Sequence, residues 1–234
     1  MSSRRTTGLW CIVPAAGRGR RFGGETAKQH VLIGERSLLA WTLRALSASP
    51  QIAGIVLVVA DGDEQWKNLA SDLTNVKLRY AIGGEQRADS VLAGLAALPV
   101  SVAADDFVLI HDAARPCVKV EDIDALIQRA SQFHGGLLAA PLRDTLKRAD
   151  GDGRVLATEP RESRWRALTP QMFRRAALTQ ALFDARNAGV VVTDEAMAME
   201  RVGHRPLLVE GREDNIKVTT PADHQLAAFL LGQN

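Results

Sequence analysis

The stretch Leu9 to Lys28 reads L-W-C-I-V-P-A-A-G-R-G-R-R-F-G-G-E-T-A-K, an apolar run followed by a loop of glycines and cations. The apolar run predicts a buried strand, and Pro14 ends it because it has no N–H to give a ladder. Gly17, Gly19, Gly23 and Gly24 then interleave with Arg18, Arg20 and Arg21, and Lys28 closes the loop. Glycines let backbone N–H groups approach a ligand closely, and bent runs of such groups make anion-binding hollows. Cations packed this densely repel one another unless a polyanion sits among them. At about 4 Å and an effective dielectric of about 20, each cation–phosphate pair is worth about 4 kcal/mol before desolvation. The stretch therefore reads as a triphosphate cradle, against the plainer reading of a solvated basic turn. It is not a Walker A loop, and Gly17-Arg18-Gly19 lacks the third glycine of a dinucleotide fingerprint.

Working outward, apolar strands alternate with amphipathic helices. Strands are expected at Ile55 to Ala60, Lys77 to Ile82, Phe107 to Ile110 and Gly136 to Ala140. Helices are expected from a Ser37 cap through Leu46, from Asp63 to Leu73, from Gln86 to Leu98 and from Glu121 to Phe133. This alternation predicts an α/β, doubly wound, mostly parallel sheet, whose ligands sit at the carboxyl ends of its strands. Three polar loops follow strands and can meet there: Ala15 to Lys28, Gly83 to Ser90 and His111 to Pro116.

The pattern breaks at Asp144 to Leu146 and Val155 to Thr158, which flank Asp150-Gly151-Asp152-Gly153, a hairpin turn signal. Such a hairpin is marginal alone, so an arm over residues 142–163 is expected to pack on a second copy of the chain; the alternative is a plain surface hairpin. From Trp165 the chain rejoins one domain that spans residues 1–234. There, helices are expected at Met172 to Asn187, Asp194 to Val202 (capped by Thr193) and Pro221 to Leu231. Strands are expected at Leu207 to Glu210 and Asn215 to Val218.

Composition excludes several classes. With 46% apolar and 24% charged residues the 234-residue chain builds one sizeable core, and a net charge of +2 gives no overall field for nucleic acid. Cys11 and Cys117 lie far apart, which supports neither a disulfide framework nor a zinc site, and Cys11 is expected in the core. Arg4 and Arg5 hint at an export signal, but the apolar stretch behind them is too short. The run Ile52 to Ala60 falls well below a membrane span. A cytoplasmic protein is expected, with no membrane partner.

In G-G-E-Q-R-A-D-S, Gly83 to Ser90, the glycines offer N–H groups before a helix, and Arg87 and Ser90 project from one face of its first turn, against the plainer reading of a turn followed by a helix start. In H-D-A-A-R-P, Asp112 at a strand end among basic loops suits Mg²⁺, which takes one or two carboxylates plus phosphate oxygens and water. Asp112 is the first metal candidate and Asp214 the second. The bland alternative for Asp112 is an ion pair with Arg115. His111 reads as a structural residue.

Together, P-A-A-G-x-G-x-R, Lys28, G-G-x-x-R-A-D-S-V, H-D-A-A-R-P, L-T-P-Q, T-D-E-A and D-N-I-K-V-T resemble the 2-C-methyl-D-erythritol 4-phosphate cytidylyltransferase family over nearly the whole chain. The resemblance implies a Rossmann-like sheet of the nucleotidyltransferase type with a protruding β-hairpin arm, acting as a homodimer with Mg²⁺. It implies transfer of CMP from CTP to methylerythritol phosphate, in non-mevalonate isoprenoid synthesis. By the matching motifs, Ala15, Ala16, Gly17, Gly83, Arg87, Ser90 and Asp112 contact CTP. Arg21 and Lys28 stabilise the transition state. Lys217, Thr145, Thr169, Thr193 and Arg161 contact the alcohol phosphate, Arg161 from a partner's arm. Two departures stand out: Ala27-Lys28-Gln29-His30 replaces Pro-Lys-Gln-Tyr, and Pro160 replaces an acidic residue. A cytidylyltransferase for another polyol phosphate, such as ribitol 5-phosphate, shares the CTP loops. A nucleic-acid-binding module is the rival from another class, but no aromatic stacking platform accompanies the cations.

Overall fold

A computed structural model describes residues 8–17, 27–73 and 76–232. The Arg21 assignment and the loop over 18–26 lie outside these residues. Strand β1 (Leu9–Pro14) is followed by a 3-10 turn (Lys28–His30), the short β2 (Leu32–Ile33) and β3 (Arg36–Ser37), α1 (Leu38–Ser47) and β4 (Ile52–Val59). A 3-10 helix (Gln65–Asp72), β5 (Lys77–Ile82), α2 (Arg87–Ala96), β6 (Phe107–Ile110), α3 (Val120–Ala130) and β7 (Gly135–Pro141) come next. The hairpin is β8 (Leu146–Ala149) with β9 (Val155–Glu159). The chain ends with β10 (Trp165–Arg174), α4 (Arg175–Asn187), α5 (Glu195–Arg201), β11 (Leu207–Glu210) and α6 (Pro221–Gly232).

Seven strands form one sheet in the order β11-β7-β10-β6-β1-β4-β5. β1 runs parallel to β4 on one side and to β6 on the other, so the strand order reverses at β1. A crevice opens at such a point, outside the carboxyl ends of the strands. Successive β1 residues alternate between faces, which is why the strand reads as continuously apolar. Cys11 and Val13 pack beneath α1 and α3, while Trp10 and Ile12 pack beneath α2 and α4. Gly94 brings α2 down onto β1, since a Cβ there would sit 2.4 Å from a methyl of Ile12. The Ser37 hydroxyl caps α1 by accepting from Ala40 N–H at 3.1 Å.

Four expectations need correction. The segment Trp165–Arg174 is a strand, β10, antiparallel to β6 and β7, and the following helix starts only at Arg175. Pro170 disguised it, and the β7 ladder shifts register between Ala167 and Gln171, around that proline. The segment after β4 is 3-10, with Trp66 and Leu69, three apart, packed against the core. Asp194, not Thr193, caps α5, its carboxylate accepting from Met197 N–H at 3.0 Å. Asn215 to Val218 is not a strand, because its backbone bonds to the loop after β6 instead: Val218 N–H donates to Ala114 O at 2.9 Å.

Among the described residues the two hairpin strands pair only with each other, and Val155 is 63% and Leu156 57% exposed. No helix among the described residues is long and apolar enough to cross a membrane.

Candidate active site

The loops after β1 and β6 and the N-terminus of α2 line an open cleft of about 220 Å³ at the reversal point, together with the Lys28–His30 turn and Lys217. Ala15, Ala16 and Gly17 form one wall, and Arg87, Ser90 and Asp112 the other. Gly83 closes the gap between them. A Cβ at Gly83 would lie 2.5 Å from Ala16 Cβ and 2.6 Å from Ser90 Oγ, so only glycine lets the two loops meet.

The loop after β6 is shaped from several sides. His111 N–H continues the ladder to Ile12 O at 2.9 Å. Thr42, on α1, donates to Ala113 O at 2.9 Å. Asp112 N–H donates to Thr169 Oγ1 at 3.1 Å, and the same oxygen lies 3.0 Å from His111 Nδ1. His111 Nε2–H then donates to Arg115 O at 3.0 Å. Burial outweighs both ring hydrogen bonds and lowers the His111 pKa to about 4, so the imidazole is neutral and its bare Nδ1 accepts from the Thr169 hydroxyl. His111 is thus a structural residue tying the loop to β10.

One carboxylate organises the cations. Asp112 Oδ1 accepts from Arg87 Nε at 3.0 Å, while Oδ2 meets Lys217 Nζ at 2.9 Å and Arg115 Nε at 3.7 Å. Burial pushes the Asp112 carboxyl up, but Arg87, Lys217 and Arg115 outweigh it and hold the group well below its ordinary value. The expected alternative, an ion pair with Arg115, is one part of this larger cluster. Arg87 is shared: its outer nitrogens reach Glu195 Oε1 at 2.5 Å and Oε2 at 3.2 Å. Burial works against the charge on Arg87, yet Glu195 and Asp112 raise its pKa further. Glu195 is 1% exposed, and its pKa is raised by burial despite Arg87.

Sequence reasoning did not single out Glu195, although T-D-E-A contains it, because an acidic residue in a helix's first turn is ordinary. Asn215 was also missed. It donates to Thr169 O at 2.8 Å and accepts from Arg115 at 2.7 Å, which places Lys217 two residues later at the cleft. Gln171 locks α5 against β10, donating to Asp194 at 2.9 Å and accepting from Ala196 N–H at 2.8 Å.

Other candidates lie elsewhere. Asp214 is engaged by Arg212, at 2.9 Å from Nε, and does not line the cleft. Thr193 is exposed and donates to Met197 Sδ at 3.4 Å. Thr145 and Arg161 are exposed on the arm, where Arg161 donates to Arg143 O. Arg143 and Arg166 both meet Glu213, at 2.6 and 3.8 Å, anchoring the arm's base. Among the described residues no group of three or more His, Cys, Asp or Glu gathers as a metal cage.

The neutral His111 sets a pH dependence. The unfolded histidine takes up a proton near its ordinary 6.5, and the folded one only near 4, so its contribution is whole above 6.5 and is lost as pH falls between the two. Unfolding free energy should drop by about 2 kcal/mol between pH 7 and pH 5 from this group, at about 1.4 kcal/mol per unit. Asp112, with an unfolded value of 3.8, adds its loss only at lower pH. Urea titrations should show a flatter slope in His111→Gln; an unchanged slope would contradict the neutral assignment.

Comparison with known proteins gives one answer. Residues 9–233 match the family of 2-C-methyl-D-erythritol 4-phosphate cytidylyltransferase. The protein of that name from Xanthomonas euvesicatoria pv. vesicatoria is 57% identical over 96% of this chain and 84% of its own length. That from Stenotrophomonas maltophilia is 55% identical over 96% of this chain and 97% of its own. A crystal structure of 4-diphosphocytidyl-2C-methyl-D-erythritol synthase superposes with a TM-score of 0.82 at 34% identity, covering 96% of this chain and 99% of the other. The Francisella tularensis 2-C-methyl-D-erythritol 4-phosphate cytidylyltransferase does so at 0.81 and 31%, covering 96% and 100%. With the sheet, the cleft at its reversal point and these matches in agreement, the chain belongs to the 2-C-methyl-D-erythritol 4-phosphate cytidylyltransferase family.

Proposed function

We propose that the protein transfers the cytidylyl group of CTP to 2-C-methyl-D-erythritol 4-phosphate, forming the diphosphocytidyl alcohol and releasing pyrophosphate. The observation that carries this reading is the cleft itself, where Arg87 and Lys217 meet on a single carboxylate, Asp112, and Lys28 and bare backbone line the same space. A phosphate monoester, with a second pKa of about 6, is already mostly dianionic at neutral pH and needs no general base. One of its oxygens bonds to the α-phosphorus of CTP, and the bond from that phosphorus to the pyrophosphate oxygen breaks. The barrier is the meeting of two anions, so catalysis consists of alignment and charge neutralisation.

Ala15, Ala16, Gly17, Gly83 and Ser90 take CTP along the cleft walls. Arg87, held by Asp112 and Glu195, fixes the second wall. Lys28, with Arg21, neutralises charge at the α-phosphate and the leaving group. Lys217 moves from Asp112 to the alcohol phosphate, and Thr169 orients Asp112. The exposed Val155 and Leu156 support an arm that docks on a second copy, because a lone two-stranded hairpin is marginal in water. A homodimer of this kind brings Arg161 and Thr145 of one chain to the alcohol phosphate bound by the other, with Thr193 of that other chain as a further contact.

Magnesium would be held by Asp112, an ionised carboxylate lining the cleft whose Oδ2 is released as Lys217 turns to the alcohol phosphate, together with phosphate and water oxygens. Asp214 does not line the cleft and would not reach such an ion. Bound there, Mg²⁺ supplies Lewis-acid stabilisation of phosphate charge.

The test is pyrophosphate release with CTP, UTP or ATP crossed against methylerythritol, ribitol and glycerol phosphates. Release is expected for CTP with methylerythritol phosphate, and a preference for another alcohol would overturn the substrate assignment. In the same assay Arg161→Ala should raise KM for the alcohol phosphate about tenfold or more while KM for CTP stays put. An unchanged KM for the alcohol removes Arg161 from the site.

A further inference from the structure

Lys28 sits on a weak local structure. Its 3-10 turn is three residues long, has no side-chain cap, and is closed by His30 N–H to Ala27 O at 2.9 Å and Val31 N–H to Lys28 O at 3.2 Å. Short 3-10 turns have poor hydrogen-bond geometry and do not hold their shape unaided. A tether from elsewhere in the fold supplies the rigidity. His30 Nε2 lies 2.7 Å from Asp63 Oδ2, and the two side chains are only 6% and 12% exposed. The other Asp63 oxygen accepts from Gln65 N–H at 3.1 Å, and Asp63 N–H donates to Ala60 O at 3.1 Å. Asp63 is thus fixed at the carboxyl end of β4, the strand beside β1, and His30 hooks the turn to it. On the other side of His30, Gln29 is 6% exposed and lines the cleft with Lys28.

We propose that the His30–Asp63 pair is a brace that positions Lys28 for the transfer, making both of them positioning residues. The proposal rests on the reading of Lys28 as the cation that stabilises the transition state. Neither brace residue lines the cleft, so the pair acts through the backbone of the turn. A displacement of about 1 Å of a group that acts on the transition state costs about a hundredfold in rate. Ground-state binding of CTP, spread over the loops after β1 and β5, should change little.

Four variants test this: His30→Leu, His30→Gln, Asp63→Ala and Lys28→Ala, with the double variant Lys28→Ala/His30→Leu. His30→Leu should lower kcat about tenfold or more, with CTP affinity by calorimetry within about threefold of the unmodified protein. His30→Gln, whose amide nitrogen falls near the position of Nε2, should recover most of that loss. The double variant should be no slower than Lys28→Ala, because the brace acts only through Lys28. Asp63→Ala carries the same comparison if His30→Leu does not fold.

The outcomes separate the two ideas. Lys28→Ala slow with His30→Leu and Asp63→Ala at the unmodified rate overturns the brace alone, as does an additive loss in the double variant. Lys28→Ala at the unmodified rate overturns the role of Lys28, and the brace with it.

Discussion

Lys28→Ala should lower kcat about a hundredfold or more, equivalent to about 3 kcal/mol of transition-state stabilisation, while the protein folds as before. The first half follows from chemistry. Negative charge accumulates on the α-phosphate and the departing pyrophosphate, and in a site partly shielded from water an ammonium group there is worth far more than in bulk solvent. The second half follows from position. Lys28 lines the cleft on a three-residue turn whose buried side chain is Gln29, so truncating Lys28 leaves the hydrophobic clusters of the core as they are. Steady-state kinetics with both substrates saturating, beside thermal unfolding, checks both halves. Turnover within a few-fold of the unmodified protein would remove Lys28 from the mechanism.

Asp112→Asn should be the most damaging single change in the cleft. Three cations converge on that carboxylate, and Arg87 also depends on it to balance its fork with Glu195. Taking away one partner of a buried charge cluster leaves the others uncompensated, at a cost of about 3 kcal/mol or more in stability. Arg87 and Lys217 would also lose their orientation, so turnover should fall about a hundredfold even where the protein is folded. Urea unfolding and turnover on the same preparation give both numbers. A stability loss below about 1 kcal/mol would mean that the cluster behaves as a solvated surface group.

Much of the architecture could be read directly from the chain, and the reasons are local. β5, β6 and β11 begin and end where expected, because polar or turn-forming residues bound each apolar run. Ser37 and Pro221 mark helix starts through capping chemistry that depends on nearest neighbours. The three polar loops were legible as a group because each follows a strand, and their meeting depends only on the parallel topology. The largest miss depended on partners distant in sequence. β10 carries Pro170 and too little alternation to look like a strand, and its place between β6 and β7 comes from pairing that only the folded chain supplies.

The same limit applies to the site. Asp112 and Arg87 stood out as charged residues in polar loops and Lys217 came only through the family motif, but Glu195 was concealed in an ordinary helix start, 108 residues from the arginine it holds. His30 looked like a neutral departure from a family pattern until the fold placed Asp63 beside it. Arg87 also changes character. The sequence shows a cation beside glycines, whereas the fold shows a guanidinium bridging Asp112 on one edge and Glu195 on another. Its bonds hold the N-termini of α2 and α5 in register with the loop after β6.

The central claim is that two bound anions react directly, with the protein aligning them and neutralising their charge but forming no bond to either. The stereochemistry at phosphorus tests this most directly. CTP carrying sulfur on the α-phosphorus in one configuration, turned over with methylerythritol phosphate, should give product with that centre inverted, as a single in-line displacement requires. Retention would mean that a side chain first takes the cytidylyl group and then hands it on, and would contradict the account.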